Sequence, residues 1–163
     1  MKTPSIWTMS SLAVIMAAAF ATPAQAQGTS EQTFINPKEI KWGDAPPSLP
    51  KGAKIAVLHG DPGKAGPFNI RLMAPAGYKI PPHWHSQDEN LTVISGALYL
   101  GMGDKMEPTK AQPLKAGGFH FLPGKAQHYA FTKSAAVIQI QGDGPFDIHY
   151  INPADDPEKK MKP

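Results

Sequence analysis

The sequence predicts an all-β protein built as an antiparallel sandwich or barrel. Its 163 residues include 18 prolines and 15 glycines, a proportion that is typical of a chain with many turns and short strands. Short apolar runs alternate with turn signals such as Gly117-Gly118. No stretch after residue 53 keeps the apolar period of about 3.6 residues that would indicate a helix.

The apolar runs predict nine strands, each bounded by Gly, Pro or Asp residues that favour turns. We expect these strands at residues 55–58, 68–74, 82–85, 89–95, 98–102, 119–122, 127–132, 136–141 and 146–151.

The first 26 residues predict a secretory signal peptide. Lys2 gives a positive start, residues 11–21 are apolar, and Ala24-Gln25-Ala26 is a cleavage site with small residues at both recognised positions. The apolar stretch is too short for a membrane span, which needs roughly 20 residues. No Arg pair precedes it, so we expect the general secretory route. The product would be periplasmic or secreted, with no stable membrane insertion.

Three segments follow the predicted signal peptide. Residues 27–53 form a Pro-rich leader with at most one short strand, residues 54–151 carry the predicted strands, and residues 152–163 are a polar C-terminal tail. This length is enough for one hydrophobic core and too short for two.

Composition excludes several kinds of chemistry. The chain has no cysteine, so it has no disulfide, no thiolate metal ligand and no cysteine nucleophile. A net charge of +3 from 16 basic and 13 acidic residues is too mild and too scattered to predict nucleic-acid binding. The sequence also carries no phosphate-binding loop and no dinucleotide fingerprint.

One segment groups side chains that can bind a metal. His83, His85 and Glu89 have the same parity, and side chains of equal parity lie on one face of a strand. Leu91 and Val93 continue that face, so two imidazoles and a carboxylate share apolar surroundings and need polar partners. A divalent cation would satisfy all three groups, which form the ligand set of non-haem metal sites with open positions.

A second segment, residues 117–132, supplies a third imidazole. A turn at Pro123-Gly124 precedes His128, which lies at the start of the next predicted strand. An antiparallel neighbour could place His128 beside the first three groups.

The first segment resembles the first motif of the cupin superfamily. It has Gly77, five residues, His83, one residue, His85, three residues, Glu89, six residues and Gly96. Every fixed position of that motif is matched.

The second segment resembles the second cupin motif less completely. Gly117, Pro123 and His128 keep the spacing of that motif. Its second glycine is displaced by one position, which leaves Lys125 in its place, and Thr132 replaces the final asparagine.

The resemblance covers residues 54–151 and implies a small β-barrel, an RmlC-like double-stranded jelly roll similar to small exported single-domain bacterial cupins. It also implies a divalent transition metal held by His83, His85, Glu89 and His128. Such ligands accept Mn, Fe, Co, Ni, Cu and Zn without distinguishing them. The alternative is a set of polar side chains that satisfy one another inside the barrel.

Other residues are weaker candidates. His120 and Glu89 are candidate catalytic groups. Tyr99, Arg71 and Gln139 lie on predicted strands and are candidate substrate contacts if their side chains face the barrel interior.

Three functions are compatible with this site. We favour a metal-dependent enzyme of dioxygenase, isomerase or lyase type acting on a small molecule, because a bound ion can polarise a substrate oxygen. The alternatives are a small-molecule or carbohydrate binding or sensor protein without turnover, and a metal that only rigidifies the barrel. We also expect a homodimer formed through sheet edges, because an antiparallel sandwich has edges to cover.

Overall fold

The computed structural model describes residues 32–160, and the predicted signal peptide therefore lies outside the described residues. The all-β prediction is confirmed, because the described chain consists mainly of two antiparallel sheets. Its strands are β1 Gly43–Asp44, β2 Lys54–His59, β3 Gly66–Ala74, β4 Lys79–Trp84, β5 Glu89–Ser95, β6 Ala97–Met102, β7 Gln112–Lys115, β8 Phe119–Leu122, β9 His128–Phe131, β10 Ala136–Gly144 and β11 His149–Tyr150.

The two sheets enclose one hydrophobic core. One sheet has the strand order β1-β2-β3-β10-β5-β8, and the other has the order β11-β4-β9-β6-β7. Alternate residues of the long strands are buried, as the pleat of a half-buried strand requires. Both sheets contribute to the core, which includes Ile70, Leu72, Leu91, Val93, Leu98, Leu100, Ala130 and Ile138.

Strand β7 is the one element of the barrel that the sequence pattern does not predict. Its four residues include Pro113, which cannot donate a ladder hydrogen bond and so argues against a strand. β7 lies at the edge of the five-stranded sheet and pairs only with β6. The missing donor is tolerated there, because one side of an edge strand has no partner.

The leader is bound to the barrel rather than extended away from it. β1 pairs with β2 at the edge of the six-stranded sheet, and Leu49 packs against the core. The Tyr78 hydroxyl donates to the Pro50 carbonyl at 2.7 Å, and the Tyr150 hydroxyl donates to the Ser48 carbonyl at 2.8 Å.

The described part of the C-terminal tail contains a 3-10 turn, Pro153–Asp155, and one short helix, α1, Pro157–Lys160. Among residues 32–160, no helix has the length and hydropathy needed to cross a membrane.

Candidate metal centre

The candidate ligands come from both sheets and meet between them. β4 and β9 pair with His83 opposite His128. His85 follows the end of β4, and Glu89 is the first residue of β5 in the opposing sheet. All four side chains are buried. The prediction that His83, His85 and Glu89 share one strand face is therefore corrected. These groups converge because two facing sheets direct them inward.

The three imidazoles form a compact group. One ring nitrogen from each of His83, His85 and His128 lies within 4.8 Å of the other two, so these residues could hold a metal ion. The ring centroids of His83 and His128 are 4.1 Å apart. One Glu89 carboxylate oxygen (Oε2) lies 3.7 Å from Nε2 of His85 and 3.6 Å from Nε2 of His128.

Each imidazole is fixed through its other nitrogen. Nδ1 of His83 bonds to the Pro81 carbonyl at 2.7 Å, and Nδ1 of His128 bonds to the Ala126 carbonyl at 3.0 Å. Nδ1 of His85 bonds to the carbonyl of Asp147. A carbonyl oxygen only accepts hydrogen bonds, so each Nδ1 must carry the proton and each Nε2 keeps a free lone pair. Metal-binding histidines are held in this way in proteins generally.

His85 depends on a distant segment for its orientation. Its ring stacks on Phe146 at a centroid distance of 4.4 Å. The Asp147 carboxylate accepts bonds from the Ser86 amide at 2.7 Å and the Ser86 hydroxyl at 2.6 Å, and it also contacts His149 at 2.8 Å. Ser86 and His149 thus hold Asp147 so that its carbonyl meets the His85 ring.

Sequence reasoning missed the roles of Phe146 and Asp147. Asp147 reaches His85 through its backbone carbonyl, which every residue type has. No sequence signal could identify that contact.

Burial sets the protonation of the cluster. It lowers the pKa of His83 well below the ordinary value and lowers the pKa of His85 to about 4. It also lowers the pKa of His128. The same loss of water raises the pKa of Glu89 to about 7, because the charged carboxylate is disfavoured in the interior. Near neutral pH the three imidazoles are neutral and ready to bind a cation.

Lys125, which occupies the glycine position of the second motif, takes a glycine-like conformation in the turn that precedes His128. Lys125 adopts a φ of 67°, the left-handed conformation that favours glycine. Its amide donates to the His85 carbonyl at 2.7 Å. Gly124 packs closely against the same segment, because a Cβ there would lie 2.8 Å from the Ser86 carbonyl oxygen.

Thr132, which replaces the asparagine of the motif, is also accommodated. It is buried, its hydroxyl donates to the Pro75 carbonyl at 2.6 Å, and the hydroxyl accepts from the Tyr78 amide at 3.1 Å. Both departures from the motif therefore preserve local backbone structure near the ligands.

His120 lies near the cluster but is not one of its three histidines. It pairs in register with Leu91, whose side chain is buried, and a positive charge on His120 would lower the pKa of His128. A cavity of about 280 Å³ is lined by His120 and Met102, and Met102 is paired in register with His128. None of the four candidate ligands lines this cavity, and its nearness to them rests on the pairing of Met102 with His128.

The structure corrects the placement of the three candidate substrate contacts. Arg71 and Gln139 alternate with the buried residues of β3 and β10, so they lie on the outer face, where Arg71 Nε donates to Gln139 Oε1 at 3.1 Å. Tyr99 alternates with the buried residues of β6 and stacks on Phe131, with Lys133 Nζ 4.4 Å from its ring centroid. The pleat turns all three away from the histidines.

This fold is the fold of the cupin superfamily, as the sequence motifs predict. The polyketide cyclase RemF from Streptomyces resistomycificus has a similar structure, with a TM-score of 0.66 at 16% identity over 82% of this chain and 95% of that chain. An RmlC-like cupin from Shewanella frigidimarina gives a TM-score of 0.54 at 15% identity over 69% of this chain and 91% of that chain. A protein from Methylibium petroleiphilum, assigned provisionally as an acetylacetone dioxygenase, is also similar. It gives a TM-score of 0.62 at 16% identity over 82% of this chain and 90% of that chain.

The chain belongs to the family described as a domain of unknown function, DUF4437, which matches residues 17–149. No protein of curated function matches it. Identities this low show the shared fold and leave the activity to be argued from the site itself.

We predict that Lys125→Gly stabilises the protein. Glycine adopts the left-handed conformation freely, whereas other residues are strained there by roughly 1–2 kcal/mol, and the greater freedom of unfolded glycine offsets part of that gain. The expected increase in the free energy of unfolding is about 0.5–1 kcal/mol, measured by urea denaturation of the metal-free protein.

Lys105→Gly is the matched control, because Lys105 is also exposed and does not have a positive φ. It should lower the free energy of unfolding slightly. If Lys125→Gly lowered the free energy of unfolding as much as Lys105→Gly does, the backbone at Lys125 would not be strained, contrary to the prediction.

We also predict that acid weakens metal binding through Glu89 before it protonates the histidines. The raised pKa of Glu89, about 7, means that this carboxyl must lose a proton to bind a cation below that pH. The lowered histidine pKa values leave the imidazoles neutral down to lower pH. Affinity should therefore fall about tenfold for each pH unit below 7, with one proton released per ion.

A competition titration with Zn²⁺ and a chromophoric chelator between pH 6 and pH 8 measures this slope. The Glu89→Gln protein should bind more weakly and show little dependence on pH over this range. A slope of two or three protons in the wild-type protein would show that the imidazoles are charged, contrary to the structure.

Proposed function

We propose that the protein is a metal-dependent enzyme of the cell envelope that acts on a small molecule, with chemistry of the dioxygenase, isomerase or lyase type. One observation carries this proposal. Three buried imidazoles present unprotonated Nε2 atoms to a common point, and a buried carboxylate lies beside two of them. Neutral imidazole and carboxylate form a donor set that suits first-row transition metals.

In this proposal His83, His85 and His128 supply three nitrogen ligands, and Glu89 supplies the one anionic ligand. A bound divalent ion would act as a Lewis acid toward a substrate oxygen. Four protein ligands leave one or two coordination positions for substrate if the ion prefers five or six ligands. Among the described residues the compact group consists of the three histidines alone, and Glu89 lies beside two of them.

The cavity beside His128 supports a small-molecule substrate. Its volume is about 280 Å³ and its lining combines apolar side chains, among them Leu100 and Met102, with the His120 imidazole. Ligand sites of this kind are largely apolar with a few polar groups that orient the ligand. His120 and Lys110 line this cavity, and either could exchange a proton with a molecule held there.

Export forms part of the proposal and rests on the signal-peptide pattern of residues 1–26. Intact mass measurement of protein recovered from the periplasm or the medium tests it. A chain that begins at Gln27 is expected, and full-length protein retained in the cytoplasm would contradict export.

We predict that His83→Ala, His85→Ala and His128→Ala each lose at least tenfold in metal affinity while the barrel remains folded, because each removes one ligand nitrogen. His59→Ala is the matched control, since His59 is exposed and lies outside the cluster. Elemental analysis and far-ultraviolet circular dichroism measure metal content and fold. If His83→Ala retained stoichiometric metal at unchanged affinity, the ligand assignment would be wrong.

The open coordination position distinguishes an enzyme from a purely structural metal. Azide added to the Co²⁺-substituted protein should change its visible spectrum, because a catalytic site leaves a position for an exogenous ligand. Oxygen-consumption and isomerase assays on the metal-loaded protein then test turnover. A spectrum indifferent to azide, together with a melting temperature that falls sharply on metal removal, would indicate a structural metal.

A further inference from the structure

A second, larger pocket lies on the outside of the barrel. It has a volume of about 770 Å³ and is formed by residues 44–53 of the leader, by β4, and by the C-terminal segment from Asp155 to Lys160. This volume falls within the range of small-molecule binding sites. None of the four candidate metal ligands lines it.

The walls of this leader pocket are held in place by hydrogen bonds. The Tyr78 and Tyr150 hydroxyls bind the carbonyls of Pro50 and Ser48. The Ala45 amide donates to the Ala53 carbonyl at 3.2 Å and closes the loop between β1 and β2. Prolines restrict the backbone of the wall further, since each fixes its own φ. A pre-formed cavity loses less free energy to ordering when a ligand binds.

The surface of the leader pocket is mainly apolar. Its apolar lining residues are Ala45, Pro46, Pro47, Leu49, Pro50, Ala53, Pro81 and Pro157. Such a lining favours a hydrocarbon or aromatic body over a sugar or a nucleotide, both of which need many hydrogen-bond partners.

Charge at the pocket is unbalanced. Lys51, Lys79 and Lys160 line it, and within residues 32–160 none of the three forms an ion pair. Of the two lining carboxylates, Asp44 is already paired with Lys54 Nζ at 2.6 Å. Three ammonium groups therefore face one remaining carboxylate, that of Asp155, which leaves a net positive rim.

We infer that the leader pocket binds an organic carboxylate with an apolar body, of the medium-chain fatty acid or aromatic acid class. The prolines and Leu49 would contact the apolar body, and the lysines would attract the carboxylate as point charges. The lining contains no arginine, the residue whose planar fork suits a phosphate group best.

The pocket adjoins the candidate metal centre through β4. Pro81 lines the pocket, and its carbonyl oxygen accepts the bond from Nδ1 of His83. The Tyr150 ring also lies 6.1 Å from the His83 ring, measured between centroids. The inference does not require a bound metal, however, because none of the four candidate ligands lines the pocket.

Calorimetric titration of the full chain with decanoate tests the inference. Saturable one-to-one binding is expected, with a dissociation constant on the order of 10–100 μM. Decanamide, which lacks the charge, and acetate, which lacks the apolar body, should each bind at least tenfold more weakly. The wild-type protein should bind decanoate equally well before and after treatment with a metal chelator, so failure of the metal proposal would not affect this result.

Two variants locate the binding. The triple substitution Lys51→Gln, Lys79→Gln and Lys160→Gln should weaken decanoate binding about tenfold or more. Pro47→Trp, which places a large ring on the exposed rim, should abolish it. The matched control replaces Lys105, Lys115 and Lys133, which lie outside the pocket, by glutamine and should leave the affinity unchanged.

Four results would overturn the inference. The first is the absence of saturable binding, and the second is equal binding of decanoate and decanamide. The third is equal loss of affinity in the two lysine triples, which would indicate a general effect of charge. Binding that weakens as protein concentration rises would assign the pocket to a second copy of the chain and would also overturn it.

Discussion

Three hydrogen bonds from imidazole to backbone carbonyl determine what the interior of this protein can bind. Because a carbonyl only accepts, each bond keeps the proton on Nδ1 and leaves the Nε2 lone pair directed into the barrel. Two of the carbonyls, those of Pro81 and Ala126, lie two residues before their histidines. The third comes from Asp147, which makes the orientation of His85 depend on the folded barrel.

Burial and charge act together at this cluster. The pKa of Glu89 rises to about 7 and the pKa of His85 falls to about 4, because both groups are removed from water. Burying titratable side chains costs stability to the extent that hydrogen bonds do not replace the lost water. A divalent cation would bind the lone pairs and neutralise the carboxylate, so the same burial that disfavours charge in the empty cluster favours a bound ion.

The sequence predicts the barrel and the residues of the candidate cluster, but not how those residues are positioned. Short apolar runs between turn residues predict β3 and β10, whereas Pro113 conceals β7, because a proline argues against a strand unless the strand is known to lie at an edge. Strand parity placed His83, His85 and Glu89 on one face, yet they meet across two sheets. The alternation of side chains along β3 does not show which of its two faces is buried. The sequence therefore leaves Arg71 as a candidate substrate contact, although its side chain lies on the outer face.

The tautomers of the three histidines test the central claim most directly. Long-range proton–nitrogen-15 NMR of the metal-free protein at pH 7 distinguishes Nδ1–H, Nε2–H and doubly protonated rings. The structure predicts neutral Nδ1–H rings at His83, His85 and His128. On addition of Zn²⁺, only the Nε2 resonances should shift strongly. Rings that carry the proton on Nε2, or that remain charged at pH 7, would contradict the account.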